Sequence, residues 1–270
     1  MQLEIPSLGP RSIFSKAERI DSYLRVLNAL MLRDMRTRFA GSYWGYLVQV
    51  LWPVAHMFII ATAMAFRHVP PPFGDSTMVF AATGAIPALA FQYISREIMK
   101  GIMQNKPLTY YPQVRTLDVM FSRVLVEIVS SFLGVMLILT ILFALGLNPI
   151  PKDITTAICG YLSAIALGIG VGTVNVAIIQ VFPGWLLGYI GIGILLYIAS
   201  GVMFLASDFP EQIYYYLKWN PILQLVEWVR LGYDPTLPIT IDYIYLFLWI
   251  FGSLSLGLAL ERTIGRRGSA

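Results

Sequence analysis

Residues 154–207 contain no Asp, Glu, Lys, Arg or His, a run of 54 positions punctuated near its middle by Gln180-Val181-Phe182-Pro183-Gly184-Trp185. A soluble core of this size would not exclude charge so completely. A bilayer-spanning helix needs about 20 mostly apolar residues, so the run predicts a transmembrane hairpin: helix, Pro-Gly turn, helix. Charge is scarce throughout, 13% of residues against 57% hydrophobic, and the mean hydropathy is +0.69, which excludes an ordinary soluble domain. The single cysteine, Cys159, lies inside an apolar run, so no intrachain disulfide is possible. No G-x-x-x-x-G-K-[ST] occurs, so the chain has no P-loop of its own. HExxH, paired CxxC and GxSxG are also missing, and His56 and His68 stand neither with a serine nor at metal-ligand spacing. No catalytic or metal-ligating residue is therefore nominated. A chain of 270 residues makes one bundle of spans, with no room for a separate catalytic domain.

Six apolar runs are long enough to span, near 47–66, 78–94, 119–147, 154–181, 185–206 and 243–260. The fold predicted is an all-α integral membrane protein with six transmembrane helices. Residues 1–46 are a polar N-terminal segment, 47–262 the membrane domain and 263–270 a tail. Those first 46 residues carry charge throughout and have no apolar core, so a cleavable signal peptide is not expected and the first span would direct insertion. An even number of spans puts both termini on one side. Seven basic residues precede span 1, five surround the loop between spans 2 and 3, and three close the chain, fifteen of nineteen in all. The other side holds Arg67, Lys152, Lys218 and Arg230. By the positive-inside rule both termini are cytoplasmic. The net charge of +4 answers to topology and anionic headgroups in this distribution, not to nucleic acid.

Three segments are neither span nor simple turn. Residues 12–42 read as an amphipathic interfacial helix, with Tyr23, Val26, Leu27, Leu30 and Met31 set against Arg25, Arg33, Arg36 and Arg38. The loop 95–112 holds a short amphipathic helix, 96–105, closed by Pro107. The external segment 207–242 carries two short helices, 210–219 and 221–233, each with Pro near its start. On span 1, Gly45, Gln49, Trp52 and His56 share one helical face; this polar stripe either ties span 1 to its neighbours or lines a path. Tyr43, Trp44 and Tyr46 before it read as an interfacial aromatic belt. Arg123 and Glu127 at i,i+4 are a snorkelling pair or a contact with a cytoplasmic partner or gate. Glu227 and Arg230 at i,i+3 lie in an apolar run, which predicts a helix dipping into the outer half of the membrane where the two charges need each other. The glycines Gly168, Gly170, Gly172, Gly184, Gly188, Gly191 and Gly193 have the spacing of close helix packing.

The run Leu32-Arg33-Asp34-Met35-Arg36-Thr37-Arg38-Phe39, followed by Gly45-Tyr46-Leu47, Pro53 and Ala55-His56, resembles the membrane subunit of ABC-2-type polysaccharide exporters. The likeness recurs at residues 105–112, at Arg123 to Glu127, at Trp219-Asn220-Pro221 with Glu227 and Arg230, and at Glu261-Arg262-Thr263, so it covers essentially the whole chain. Val48 stands where that family often has Trp, with Trp52 four residues on.

This resemblance implies a permease moving capsular polysaccharide from cytoplasm to periplasm across the bacterial inner membrane. It would act as a homodimer with two copies of a separate ATPase subunit that binds ATP and Mg, this chain binding no cofactor. A periplasmic polysaccharide co-polymerase-type adaptor and an outer-membrane channel would receive the lipid-linked polymer, and membrane lipids surround it. The 96–112 segment would be the coupling helix, with Arg33, Arg36, Arg38, Arg96, Lys100, Asn105 and Tyr110 meeting the ATPase. Gln49, Trp52, His56, Tyr189, Tyr197 and Ser200 would line the substrate path, and Trp219, Asn220, Glu227 and Arg230 the outer gate. The alternatives are the same architecture with another cargo (O-antigen, teichoic acid, a lipid or a drug), or an intramembrane enzyme acting on lipid-linked sugars.

Overall fold

The charge-free run begins at a capped helix. Asp153 accepts a hydrogen bond from the Thr156 amide at 3.1 Å and another from its hydroxyl at 2.6 Å, the N-cap chemistry that satisfies a helix's first free amides. The helix then runs Ile154–Val181 and stops at Phe182-Pro183-Gly184. The computed structural model of the chain describes residues 16–38, 43–66, 70–105, 107–108 and 114–267, with the side chains of 16–19, 22, 37–38, 43, 46, 49–50 and 265–267 outside that description. Among the described residues the regular structure is helical, with no strand. In chain order the helices are α1 (Lys16–Arg38), α2 (Tyr43–Phe66), α3 (Thr77–Asn105), α4 (Thr116–Ala144), α5 (Ile154–Val181), α6 (Trp185–Ile198), α7 (Glu211–Leu217), α8 (Pro221–Tyr233) and α9 (Tyr243–Arg267). A 3-10 turn, Ala206–Asp208, precedes α7.

Four of these helices, α3, α4, α5 and α9, are long and apolar enough to cross a membrane. Two shorter apolar segments accompany them, Leu51–Phe66 of α2 and Trp185–Ile198, which is α6. The fifth span expected at 185–206 is therefore cut short. Asn220 donates its side-chain amide to the Leu196 carbonyl at 2.8 Å, satisfying one of the last turn's free acceptors. Gly201 then takes φ +74°, a left-handed conformation that reverses the chain and that other residues resist. The short helix expected at 96–105 is likewise not separate; it is the last part of α3, which runs unbroken through to Asn105.

Packing centres on α3 and α5, and glycine sets how close their neighbours come. A Cβ at Gly168 or Gly172 would meet α3 at Ile94, Ser95 or Ile98 within about 3.1 Å, and one at Gly170 would meet the α9 backbone at Ile250. From the other side, Gly257 of α9 lies against the Thr173–Val174 backbone. Such contacts let helices associate through dispersion where lipid offers no hydrophobic driving force. The second half of the glycine stripe behaves differently: a Cβ on Gly191 would meet nothing within 4 Å, and one on Gly188 only the ring of Trp185. Among the described residues those α6 positions meet no other helix.

Candidate functional site

Two buried arginines mark opposite ends of α3. Arg123, in the second turn of α4, is 1% exposed. Its guanidinium reaches three elements at once. Nη1 donates to Asp34 of α1, Nη2 donates to Glu97 Oε2 at 3.0 Å and to Gln104 at 3.3 Å, and Nε donates to the Glu97 carbonyl at 3.1 Å. Glu127 lies 3.8 Å from Nε, one turn along α4. Glu97 also holds Lys100 at 3.1 Å and Arg96 at 3.4 Å. Among the described residues three carboxylates and three cations meet in one cluster, which is how a charge is tolerated in a buried site. The arginine fits because Gly101 leaves it room: a Cβ there would lie 3.2 Å from its Cγ. On α1 the buried positions among the described residues are Leu27, Leu30 and Asp34, one helical face, so two leucines and one carboxylate there dock that helix.

Arg230 of α8 is fully buried and has a different set of partners. It donates to the carbonyls of Phe204 at 2.7 Å and Val202 at 3.1 Å, in the turn that follows α6. Its guanidinium stacks 4.1 Å from the centre of the Phe80 ring, a favourable position for a desolvated cation. Gly84 of α3 makes the space, since a Cβ there would lie 2.9 Å from Nη2. Glu227 is also buried, and no hydrogen-bond partner reaches its Oε1. The direct Glu227–Arg230 pair expected from the sequence is not formed: the guanidinium is turned away to the carbonyls of the Gly201 turn.

Gly84 and Gly101 are seventeen residues apart on α3, about 25 Å at 1.5 Å rise per residue. That is close to the ~30 Å thickness of a bilayer's hydrocarbon core. The two arginines are thus separated along α3 by most of the thickness of such a layer.

Between them, α6 is held to the bundle by polar contacts. His56 of α2 and Tyr197 of α6 share a hydrogen bond of 2.5 Å, their rings edge to face at 5.3 Å. Gln92 of α3 donates to the Gly193 carbonyl at 2.7 Å, and the Tyr189 hydroxyl donates to Ser95 at 2.6 Å. Among the described residues, no group of three or more His, Cys, Asp or Glu side chains is placed to hold a metal ion.

No protein-family model matches the chain. Curated relatives do. The polysialic acid transport protein KpsM of Escherichia coli is 30% identical over 88% of this chain and 92% of its own length. The chain belongs to the family of capsule polysaccharide export inner-membrane proteins. Two further members align over most of their length: BexB of Haemophilus influenzae, 24% identical over 96% of this chain and 97% of its own, and CtrC of Neisseria meningitidis serogroup A, 25% identical over 77% and 79%.

In this member of the capsule-export family the residues singled out from the sequence separate into groups. His56 and Tyr197 come together, and Trp52, one turn before His56, stays half exposed. Tyr189 and Ser200 face inward: Tyr189 is bound to Ser95, and the Ser200 hydroxyl donates to the Tyr197 carbonyl at 2.6 Å. Tyr189 also borders a small cleft with Gln92, Arg96 and Gly193. The Gln49 and Arg38 side chains and the whole of Tyr110 lie outside the described residues.

Arg96 and Lys100 are partly exposed and paired to Glu97. Asn105 is buried, its amide donating to the Gly101 carbonyl, whereas Arg36 is exposed and Arg33 half-buried. Trp219 is exposed, while Asn220 caps α8 by accepting from the Ile222 amide at 3.0 Å. The sequence reading missed Asp34, Glu97 and Gln104 as partners of Arg123. Each acid was nonetheless visible as the lone acidic residue of a basic segment, Asp34 within 22–46 and Glu97 within 95–115.

Proposed function

We propose that this chain is the permease subunit of an ATP-driven exporter that carries capsular polysaccharide across the bacterial inner membrane. The carrying observation is the end-to-end likeness to capsule export proteins, seated on a bundle whose helices are built to cross a bilayer. In this reading α2, α3, α4, α5, α6 and α9 are the six spans. At 24 residues α2 is about 36 Å long, enough to cross. The 14 residues of α6 reach only about 21 Å, and the turn and α7–α8 complete the outer half. Both termini face the cytoplasm, where the basic residues lie.

The permease works as a homodimer with two ATPase subunits. Among the described residues nothing from another helix covers the α6 face that carries Gly188 and Gly191, and that face suits the second copy. Closure of the ATPase on ATP moves α1 and the 96–112 segment. Both are tied to Arg123, so the cluster of Asp34, Glu97, Glu127 and Arg123 carries that motion into α4 and α3 as one unit. The His56–Tyr197 contact joins α2 to α6 beside the path along which the polymer travels. Aromatic faces such as Trp52 offer its sugar rings apolar contact without tight binding.

Complementation tests this reading. In a strain deleted for its capsule permease, this chain expressed with its ATPase subunit should restore surface polysaccharide. Tyr197→Ala, expressed at the same level, should reduce it. Polymer export that is indifferent to the presence of the chain would overturn the assignment.

A further inference from the structure

A cleft of about 560 Å³ opens between α7, α8 and the start of α9, lined by Tyr214, Lys218, Trp219, Asp242, Tyr243 and Tyr245. A second cleft of about 470 Å³ runs between α5 and α9, lined by Val171, Val174, Leu248, Trp249, Gly252 and Leu256. Tyr245 lines both, so the two clefts adjoin at that side chain as a groove whose upper part is polar and whose lower part is apolar. The two hydroxyls in the wall of the lower part are both taken, that of Ser253 donated to the Ile250 carbonyl at 3.2 Å and that of Tyr245 to the Trp219 carbonyl. A glycan has no use for such a channel, whereas an acyl chain does.

Depth agrees with this division. Trp219, Tyr245 and Trp249 form an edge-to-face aromatic series, with centroids 5.8 and 6.3 Å apart, and Trp and Tyr gather at the level of lipid headgroups. Leu256 lies eleven residues below Tyr245 on α9, about 16 Å deeper, which is acyl-chain depth in a core about 30 Å thick. The upper cleft carries one cation and one anion. Lys218 sits 4.7 Å above the Tyr215 ring, and Asp242 accepts from the Tyr245 amide at 2.9 Å. Among the described residues neither makes an ion pair.

We propose that this groove is a specific binding site for a zwitterionic phospholipid, its phosphate toward Lys218, its ammonium toward Asp242 and one acyl chain between α5 and α9. A purely anionic headgroup would satisfy Lys218 but oppose Asp242, so the two charges together select the zwitterion. Membrane residence is all the proposal assumes; it stands apart from the identity of the cargo.

The full-length chain, purified in detergent with equal phosphatidylethanolamine and phosphatidylglycerol, provides the test, with retained lipid counted by native mass spectrometry. Phosphatidylethanolamine should be retained in preference. A Cβ on Gly252 would meet nothing within 4 Å, so Gly252→Phe fills the lower cleft without disturbing the fold and should cut retention about tenfold. Asp242→Asn keeps a good helix cap and should erase the preference between the two lipids. Equal retention by wild type and Gly252→Phe would overturn the proposal. So would a wild-type preference for phosphatidylglycerol, or displacement of the lipid by a soluble acidic oligosaccharide, which would assign the cleft to glycan.

Discussion

Replacing Arg123 by Met removes the shared partner of a buried cluster and leaves Asp34, Glu97 and Glu127 facing one another. Breaking one buried, hydrogen-bonded charge pair costs about 3–5 kcal/mol, because the remaining charge stays buried without compensation. Arg123 serves two carboxylates by direct hydrogen bonds and lies near a third, so the loss belongs at the upper end of that range. It should fall first on α1, whose buried side chains among the described residues are Leu27, Leu30 and Asp34. Hydrogen exchange of the α1 amides, followed on the detergent-solubilised protein, reads this directly. At about 1.4 kcal/mol per tenfold, a 4 kcal/mol loss speeds exchange by roughly three orders of magnitude until α1 is fully open. Arg123→Lys keeps the charge but cannot reach Asp34, Glu97 and Gln104 at once, so it should cost about 1.5–3 kcal/mol. Glu97→Gln removes the carboxylate to which Arg123 Nη2 donates, so the double variant Arg123→Met/Glu97→Gln should lose less than the two single losses added together, with a coupling of about 0.5–3 kcal/mol. Exchange in α1 that changes less than about twofold in Arg123→Met would refute the idea that this arginine holds the helix.

The outer arginine predicts an asymmetry. Arg230→Met strands the Val202 and Phe204 carbonyls and removes the cation over the Phe80 ring, about 1–3 kcal/mol for each buried acceptor left unsatisfied. Glu227→Gln removes a carboxylate that has no hydrogen-bond partner on Oε1 and should cost far less; thermal unfolding in detergent compares the two, and equal losses would contradict the geometry. At the loop after α8, hydrogen bonds from Thr236, hydroxyl first, hold the Asp234 carboxyl below its ordinary range, with Lys152 at 3.2 Å adding to them. Because the folded value is lowered, the stabilisation is present above the usual carboxylate range of about pH 4 and disappears as pH falls through the lowered value. Amide exchange in the 234–237 turn should therefore rise with acidification more in wild type than in Asp234→Asn.

How much could be read in advance differs from element to element. The limits of α5 follow from Asp153 before it and Pro183-Gly184 after it, and those of α8 from Asn220-Pro221; caps and breakers act locally, so sequence displays them. The end of α6 was not legible. It depends on Asn220, twenty-four residues on, capturing the Leu196 carbonyl, and no local pattern encodes that. The partners of the two arginines were legible only as residue types. Arg123 and Glu127 share a helix face by spacing, but Asp34 and Glu97 arrive from other helices. Arg230 turned from its sequence neighbour Glu227 to carbonyls that exist as free acceptors only because the chain reverses at Gly201.

The sequence by itself determined the solvent. Hydropathy and charge exclusion are sums over residues, so 54 positions without a charge put this chain in a bilayer whatever its fold. It also determined where α5 and α8 begin, at Asp153 and Asn220-Pro221. Only the tertiary structure decided what each buried charge does. A guanidinium can be satisfied by carboxylates, carbonyls or a ring, and the choice depends on which helices glycine allows to approach. At Gly101 that choice makes Arg123 a tie between α1, α3 and α4; at Gly84 it makes Arg230 the support of a turn.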